Sequence, residues 1–174
     1  MAGFYKVTER SMGMSDAVWR RHANSLSAWT RILSGLPLIA LAIWSRVWIG
    51  WGALIVLAAV AVWIWLNPRV FPEPRNFDAW TSRAVLGEYV FLNRRDTVAA
   101  HHIRMANVLS WSTLPGLILL VAGLWRLDLV WTFAGTVLTI LPKLWFLDRM
   151  VWLYQEFLQG GASVLGITHE GDGL

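Results

Sequence analysis

The sequence predicts an all-α, polytopic membrane protein with four transmembrane helices, and three observations carry that reading. Hydrophobic residues make up 56% of the chain and charged residues only 15%, where a soluble domain carries about a quarter charged. The run from Val47 to Leu66 holds no charge at all; at about 1.5 Å per helical residue it reaches about 30 Å, the thickness of a bilayer's hydrocarbon core. The chain has thirteen tryptophans, and Trp44, Trp48 and Trp51 crowd one end of that run and Trp63 and Trp65 the other, as expected of a side chain that is apolar at one end and wet at the other.

Cysteine is absent, which excludes disulfides, thiol catalysis and thiolate metal sites. The net charge of +4 comes from arginine, Lys6 and Lys143 being the only lysines. In a membrane protein such a balance reports topology and contact with anionic lipid, not nucleic acid.

Residues 1–14 are polar and aperiodic and read as a cytoplasmic tail without the pattern of a cleavable signal. Ser15 reads as an N-cap, with Asp16 at the positive end of the helix dipole. The helix that follows turns apolar from Ile32 to Trp44, with Arg31 at the boundary and Pro37 inside. A tight turn at Ser45-Arg46 leads into the span Val47 to Leu66, which Asn67-Pro68 is expected to stop. Asp78 is positioned to cap an amphipathic helix running to Asn93 and lying in the interface, with Trp80, Ala84, Val85, Tyr89 and Leu92 on its apolar side. Asp96 or Thr97 would start a third long helix that enters the membrane near Met105 and ends at Trp125. After the turn Arg126-Leu127-Asp128, a fourth span runs from Leu129 to Leu147, with Pro142 inside, and its helix continues past Asp148, Arg149 and Glu156 into water. The glycine-containing tail 160–174 reads as flexible. The domain plan is therefore a tail at 1–14, a four-helix membrane domain at 15–159 with a cytoplasmic cap loop at 67–104, and a second tail.

The two hairpins echo each other weakly. Ala23-Asn24-Ser25-Leu26-Ser27 resembles Ala106-Asn107-Val108-Leu109-Ser110, and Leu36-Pro37 resembles Leu114-Pro115, which would fit a parallel internal repeat. Of the fifteen Lys and Arg residues, only Arg46 and Arg126 fall in the tight turns. The positive-inside rule then places both termini and the 67–104 loop in the cytoplasm, and the chain in the plasma (inner) membrane.

That loop, Asn67 to Arg104, is the one long polar stretch between apolar runs. Glu88, Asp96, His101, His102 and Asp148 are the candidate catalytic groups at this face. Histidine with carboxylate suits a divalent metal, which makes His101, His102, Glu88 and Asp148 the metal candidates. Against them, neighbouring residues on a helix point about 100° apart, so His101 and His102 would not both face one ion. A haem between His22 and His101 or His102 is geometrically conceivable, but no cofactor is assigned. Arg83, Arg94, Arg95, Arg104 and Arg149 could hold phosphate bidentately, as in a phospholipid headgroup. Their bland reading is topology and ion pairing, for example Arg149 with Glu156. Asp148, directly after an apolar span, needs a partner at the membrane boundary; Arg94, Arg95 and Arg104 are the expected ones, so that Asp148 would dock the loop.

In Asn67-Pro68-Arg69, Phe71-Pro72, Trp80, Ser82-Arg83, Val85-Leu86-Gly87-Glu88 and Asn93-Arg94-Arg95 the chain resembles an uncharacterised family of small bacterial and archaeal membrane proteins. The likeness covers most of the chain between its tails and implies no activity. The functional expectation is a non-enzymatic accessory subunit or lipid-headgroup-binding module, embedded in the lipid bilayer and associating as a homo-oligomer or within a larger membrane complex. The alternative is a membrane enzyme acting on a lipophilic substrate at the cytoplasmic interface, with or without metal. A transporter fits less well, because the second span has no polar group to line a path.

Overall fold

Asn67 is fully buried and bridges the two ends of a hairpin: it accepts from Ser27 Oγ at 3.0 Å and donates to Thr30 Oγ1 at 2.9 Å. The computed structural model describes residues 15–168; the tail expected at 1–14, and 169–174, lie outside that range. Eight helices form the described chain: α1 Asp16–His22, α2 Ser25–Trp44, α3 Arg46–Ile49, α4 Ala53–Val70, α5 Trp80–Asn93, α6 Ala100–Trp111, α7 Leu114–Arg126 and α8 Leu129–Gln159. Short 3-10 turns occupy Gly50–Gly52 and Arg95–Thr97.

Three segments are long and apolar enough to cross a membrane: Ser25–Val70, Ala100–Arg126 and Leu129–Gln159. The first folds back on itself around Gly50, which sits at φ +52°, a conformation open to glycine at no steric cost. The second turn, at Leu127, lies at the same end of the molecule, because the Arg46 guanidinium donates to the carbonyls of Leu124 and Trp125. A cation on the last carbonyls of α7 complements its dipole. Asp128 then caps α8 by accepting from Trp131 N at 2.9 Å.

Several expected boundaries shift. The first helix is broken: Asn24, not Ser15, supplies the side-chain cap, accepting from Leu26 N at 2.9 Å and Ser27 N at 3.4 Å. Pro68 does not stop its helix, which runs to Val70; Asn67's ties to α2 hold this last turn. Asp78 does not cap α5 but pairs with Arg83 at 3.4 Å. Asp96 and Thr97 form their own 3-10 turn, and α6 starts after Ala99. The third long helix is interrupted at Ser112-Thr113, whose hydroxyls donate back to Leu109 and Ser110 carbonyls at 2.8 and 2.7 Å just before Pro115. The expected flexible tail is folded as far as Thr168: Val164 is buried, an isolated bridge pairs it with Ile167, and Arg20 Nη1 donates to Leu165 O at 2.7 Å.

The internal echo is not reproduced locally. Asn24 caps a helix in extended conformation, whereas Asn107 lies within α6 and keeps a buried, unbonded Oδ1.

The largest change concerns α5. Its burial is not confined to one apolar side, because it is enclosed on most of its circumference. Its polar Thr81 and Ser82 are as buried as Leu86 and Phe91. The break before α2 explains this. Ser82 Oγ donates to the freed Ala23 carbonyl at 2.6 Å, and Thr81 Oγ1 donates to Ser25 Oγ at 3.0 Å. On its opposite flank α5 lies backbone to backbone on α8: a Cβ built on Gly87 would come within 1.9 Å of Met150 O. The main core therefore sits at the polar end of the bundle, where α1, α5, α6 and α8 meet around Leu86, Phe91, Phe146 and Met150. Toward the turns only Ala40, Leu120 and Leu124 make a small core. There α7 and α8 approach through Gly116, Gly123 and Gly135, so these glycines serve packing within the chain. The flanks carry exposed Leu33, Ile55, Ile118 and Phe133.

Candidate functional site

The polar end gathers the candidate residues, but in three separate places. Asp148, on α8, accepts from Trp80 Nε1 at 3.2 Å, and Trp80 stacks on Trp29 with ring centroids 5.9 Å apart. The loop is thus docked on Asp148 by an indole N–H and not by Arg94, Arg95 or Arg104. A tryptophan meets a boundary carboxylate well, because its ring stays in apolar surroundings while its one donor is satisfied.

Glu88, further along α5, takes Lys143 as its partner at 3.3 Å. Lys143 also lies over the Phe146 ring at 4.5 Å. Close by, His22 is 2% exposed, edge-on to Trp19 at 5.8 Å, with Nδ1 unbonded. Burial first, then the positive charges of Arg31 and Lys143, push its pKa well below the ordinary 6.5, so His22 is neutral at pH 7.

His101 and His102, in the first turn of α6, both turn toward Glu156 in the last turns of α8. His102 Nε2 lies 2.9 Å from Glu156 Oε2, and His101 Nε2 lies 3.9 Å from the same oxygen. The imidazole centroids are 4.1 Å apart and tilted by 38°. The expected divergence of adjacent helical residues is overcome here because the pair occupies a helix start, with no preceding turn to obstruct the rings, and the carboxylate comes from another helix. His102 is 4% exposed, while His101 and Glu156 are open to solvent.

The expected metal set is therefore redistributed. Glu88 and Asp148 face Lys143 and Trp80, Asp96 is exposed in its turn, and Glu156 replaces them beside the histidines. Among the described residues, His101, His102 and Glu156 are the one group whose donors could share an ion. His22 packs against Trp19, whereas His102 meets Glu156. Glu156 follows Asp148 by eight residues, which on an α-helix is about 80° past two full turns. One helix thus presents Asp148 to α5 and Glu156 to α6, a division that spacing could have signalled.

Among the phosphate candidates, Arg83 is taken by Asp78. Arg94 lies over Phe157 at 5.7 Å, Arg95 over Phe91 at 4.6 Å, and Arg149 over Trp152 at 4.2 Å. Among the described residues the three Lys/Arg–carboxylate ion pairs and the two histidine–carboxylate contacts leave out Arg94, Arg95, Arg104 and Arg149, so the expected Arg149–Glu156 pair is not made. Arg149 Nε is buried without a hydrogen-bond partner.

A family model described as "Family of unknown function (DUF6653)" matches residues 6–169, nearly the whole chain. The chain belongs to DUF6653. The match includes the cap, the bundle and the three polar clusters alike. Neither the curated proteins nor the solved structures contain a match, so the DUF6653 assignment brings a family without an activity, as the sequence resemblance implied.

Proposed function

We propose that this protein is a four-span plasma-membrane module that binds the phosphate of anionic lipid headgroups at its cytoplasmic face, without catalysing a reaction. The return of Ser25–Val70 at Gly50 into two antiparallel arms supports counting it as two crossings of four. The other two arms are α6–α7 and α8. Of the described Lys and Arg residues only Arg46 and Arg126 lie at the two turns, which supports a cytoplasmic cap and cytoplasmic termini.

The observation that carries the binding reading is the state of Arg94, Arg95 and Arg149. Each guanidinium lies over an aromatic ring, and none has a described carboxylate within ion-pair distance. Stacking engages the face of a guanidinium and not its in-plane N–H groups, which match phosphate bidentately; in Arg149 these are the two Nη, its Nε being buried. The ion-pairing explanation for these arginines has lost its partners. Topology alone would be served equally by lysine, which the chain almost lacks.

Native mass spectrometry of the detergent-purified protein tests this reading. Phosphatidylglycerol should be retained in preference to phosphatidylcholine, and Arg94→Gln, Arg95→Gln, Arg149→Gln together should remove that preference. Equal retention of both lipids by the parent chain would overturn the proposal.

A further inference from the structure

We propose that His101, His102 and Glu156 form a binding site for one divalent transition-metal ion, clamping the start of α6 to the end of α8. The donor nitrogens and oxygen all lie within 4.8 Å of one another, and the two histidine–carboxylate separations are 2.9 and 3.9 Å. A tetrahedral zinc ion at about 2.1 Å from each donor spaces its ligands about 3.4 Å apart. Small side-chain rotations therefore bring the three donors onto an ion, with no movement of either helix.

The donor chemistry selects the class of ion. Two imidazoles and a carboxylate suit Zn²⁺ and its neighbours, whereas Mg²⁺ and Ca²⁺ favour oxygen ligands throughout. Three protein ligands leave a further position, and the solvent-open side at His101 and Glu156 lets water fill it. The backbone beneath is firmly held: Ala106 and Leu109 of α6 and Met150 and Tyr154 of α8 belong to the main core. Glu156 lies near the C-terminus of α8, whose dipole favours a cation, and this offsets the positive start of α6. A simple hydrogen bond between His102 and Glu156 would account for one histidine. It leaves unexplained why the exposed His101 ring lies beside the buried one and directs its Nε2 at the same oxygen.

The test is calorimetric titration of Zn²⁺ into the full chain in detergent, purified without a polyhistidine tag and stripped with chelator. One ion per chain should bind. His101→Ala, which leaves the buried His102 in place, and Glu156→Gln should each weaken binding by about tenfold or more, consistent with losses at metal sites. His169→Ala should leave the affinity unchanged. Absence of saturable Zn²⁺ binding, or binding that survives both site substitutions, would overturn the proposal. Lipid retention in the same preparations should be independent of Zn²⁺, which keeps this site distinct from the arginine reading.

Discussion

The indole nitrogen of Trp80 donates to Asp148 Oδ1 at 3.2 Å, and this bond joins the polar cap to the longest helix where that helix leaves its apolar stretch. Trp80→Phe keeps the ring that stacks on Trp29 and removes only the donor. It should cost about 1 kcal/mol, the net worth of one hydrogen bond, and somewhat more if Asp148 is left without a partner. Asp148→Ala should cost a similar amount, and the double variant should cost less than the sum. Thermal unfolding in detergent gives the energies, and limited proteolysis of 67–104 gives the site of loosening. Unchanged protection of that segment in Asp148→Ala would show that the bond does not dock the cap.

Gly87 and Met150 set the separation of α5 and α8. Gly87→Ala would force a methyl group to within 1.9 Å of a backbone carbonyl oxygen, and no side chain can rotate away to relieve it. The expected loss is on the order of 3 kcal/mol, at the upper end of overpacking effects. Gly35 is the control: it is also helical, but a Cβ there meets nothing within 4 Å, so Gly35→Ala should be neutral or stabilising by up to about 1 kcal/mol. Equal effects of the two substitutions on the unfolding midpoint would rule out this close approach.

Much of this arrangement was legible in the sequence, for reasons that also mark where legibility ended. Apolar runs of spanning length, the turn at Arg126–Asp128 and the helical continuation past Asp148 follow from composition and helix geometry. The burial of α5 does not. Thr81 and Ser82 read as its polar side, because nothing in their neighbourhood indicates that Ala23, far away in sequence, frees a carbonyl for Ser82. The candidate residues likewise meet partners other than the expected ones. Lys143 captures Glu88 and Trp80 captures Asp148, both across long sequence separations. Among the described residues Glu156 is the carboxylate within ion-pair distance of the histidines.

His22 makes stability depend on pH. Its folded pKa lies well below 6.5, so below that pH the unfolded chain binds a proton that the folded chain refuses. Stability should therefore fall as pH drops through 6.5, and keep falling until the folded pKa is reached. The slope approaches about 1.4 kcal/mol per pH unit for a single group. His22→Phe should flatten the dependence between about pH 7 and 5.5, above the range in which most carboxylates titrate. The same substitution removes a buried nitrogen that has no partner, so stability at pH 7 should be maintained or raised. A variant with the parent's pH slope would show that His22 is free to ionise in the folded state.

Because the chain contains no cysteine, single cysteines report its orientation without background. Trp51 lies at the turn of the first hairpin with 86% of its surface exposed. Asn93 is exposed at the end of α5, at the polar end of the bundle. With four crossings and a cytoplasmic cap, a membrane-impermeant maleimide added to intact cells should label Trp51→Cys and spare Asn93→Cys until the membrane is opened. The reverse pattern would invert the orientation and place the arginines and the His101–His102–Glu156 cluster outside. Labelling of both positions in intact cells would mean that Ser25–Val70 does not cross and return. The arginine distribution favours the first outcome, because only Arg46 and Arg126 would have to face outward, and Arg46 is already engaged by the carbonyls of Leu124 and Trp125.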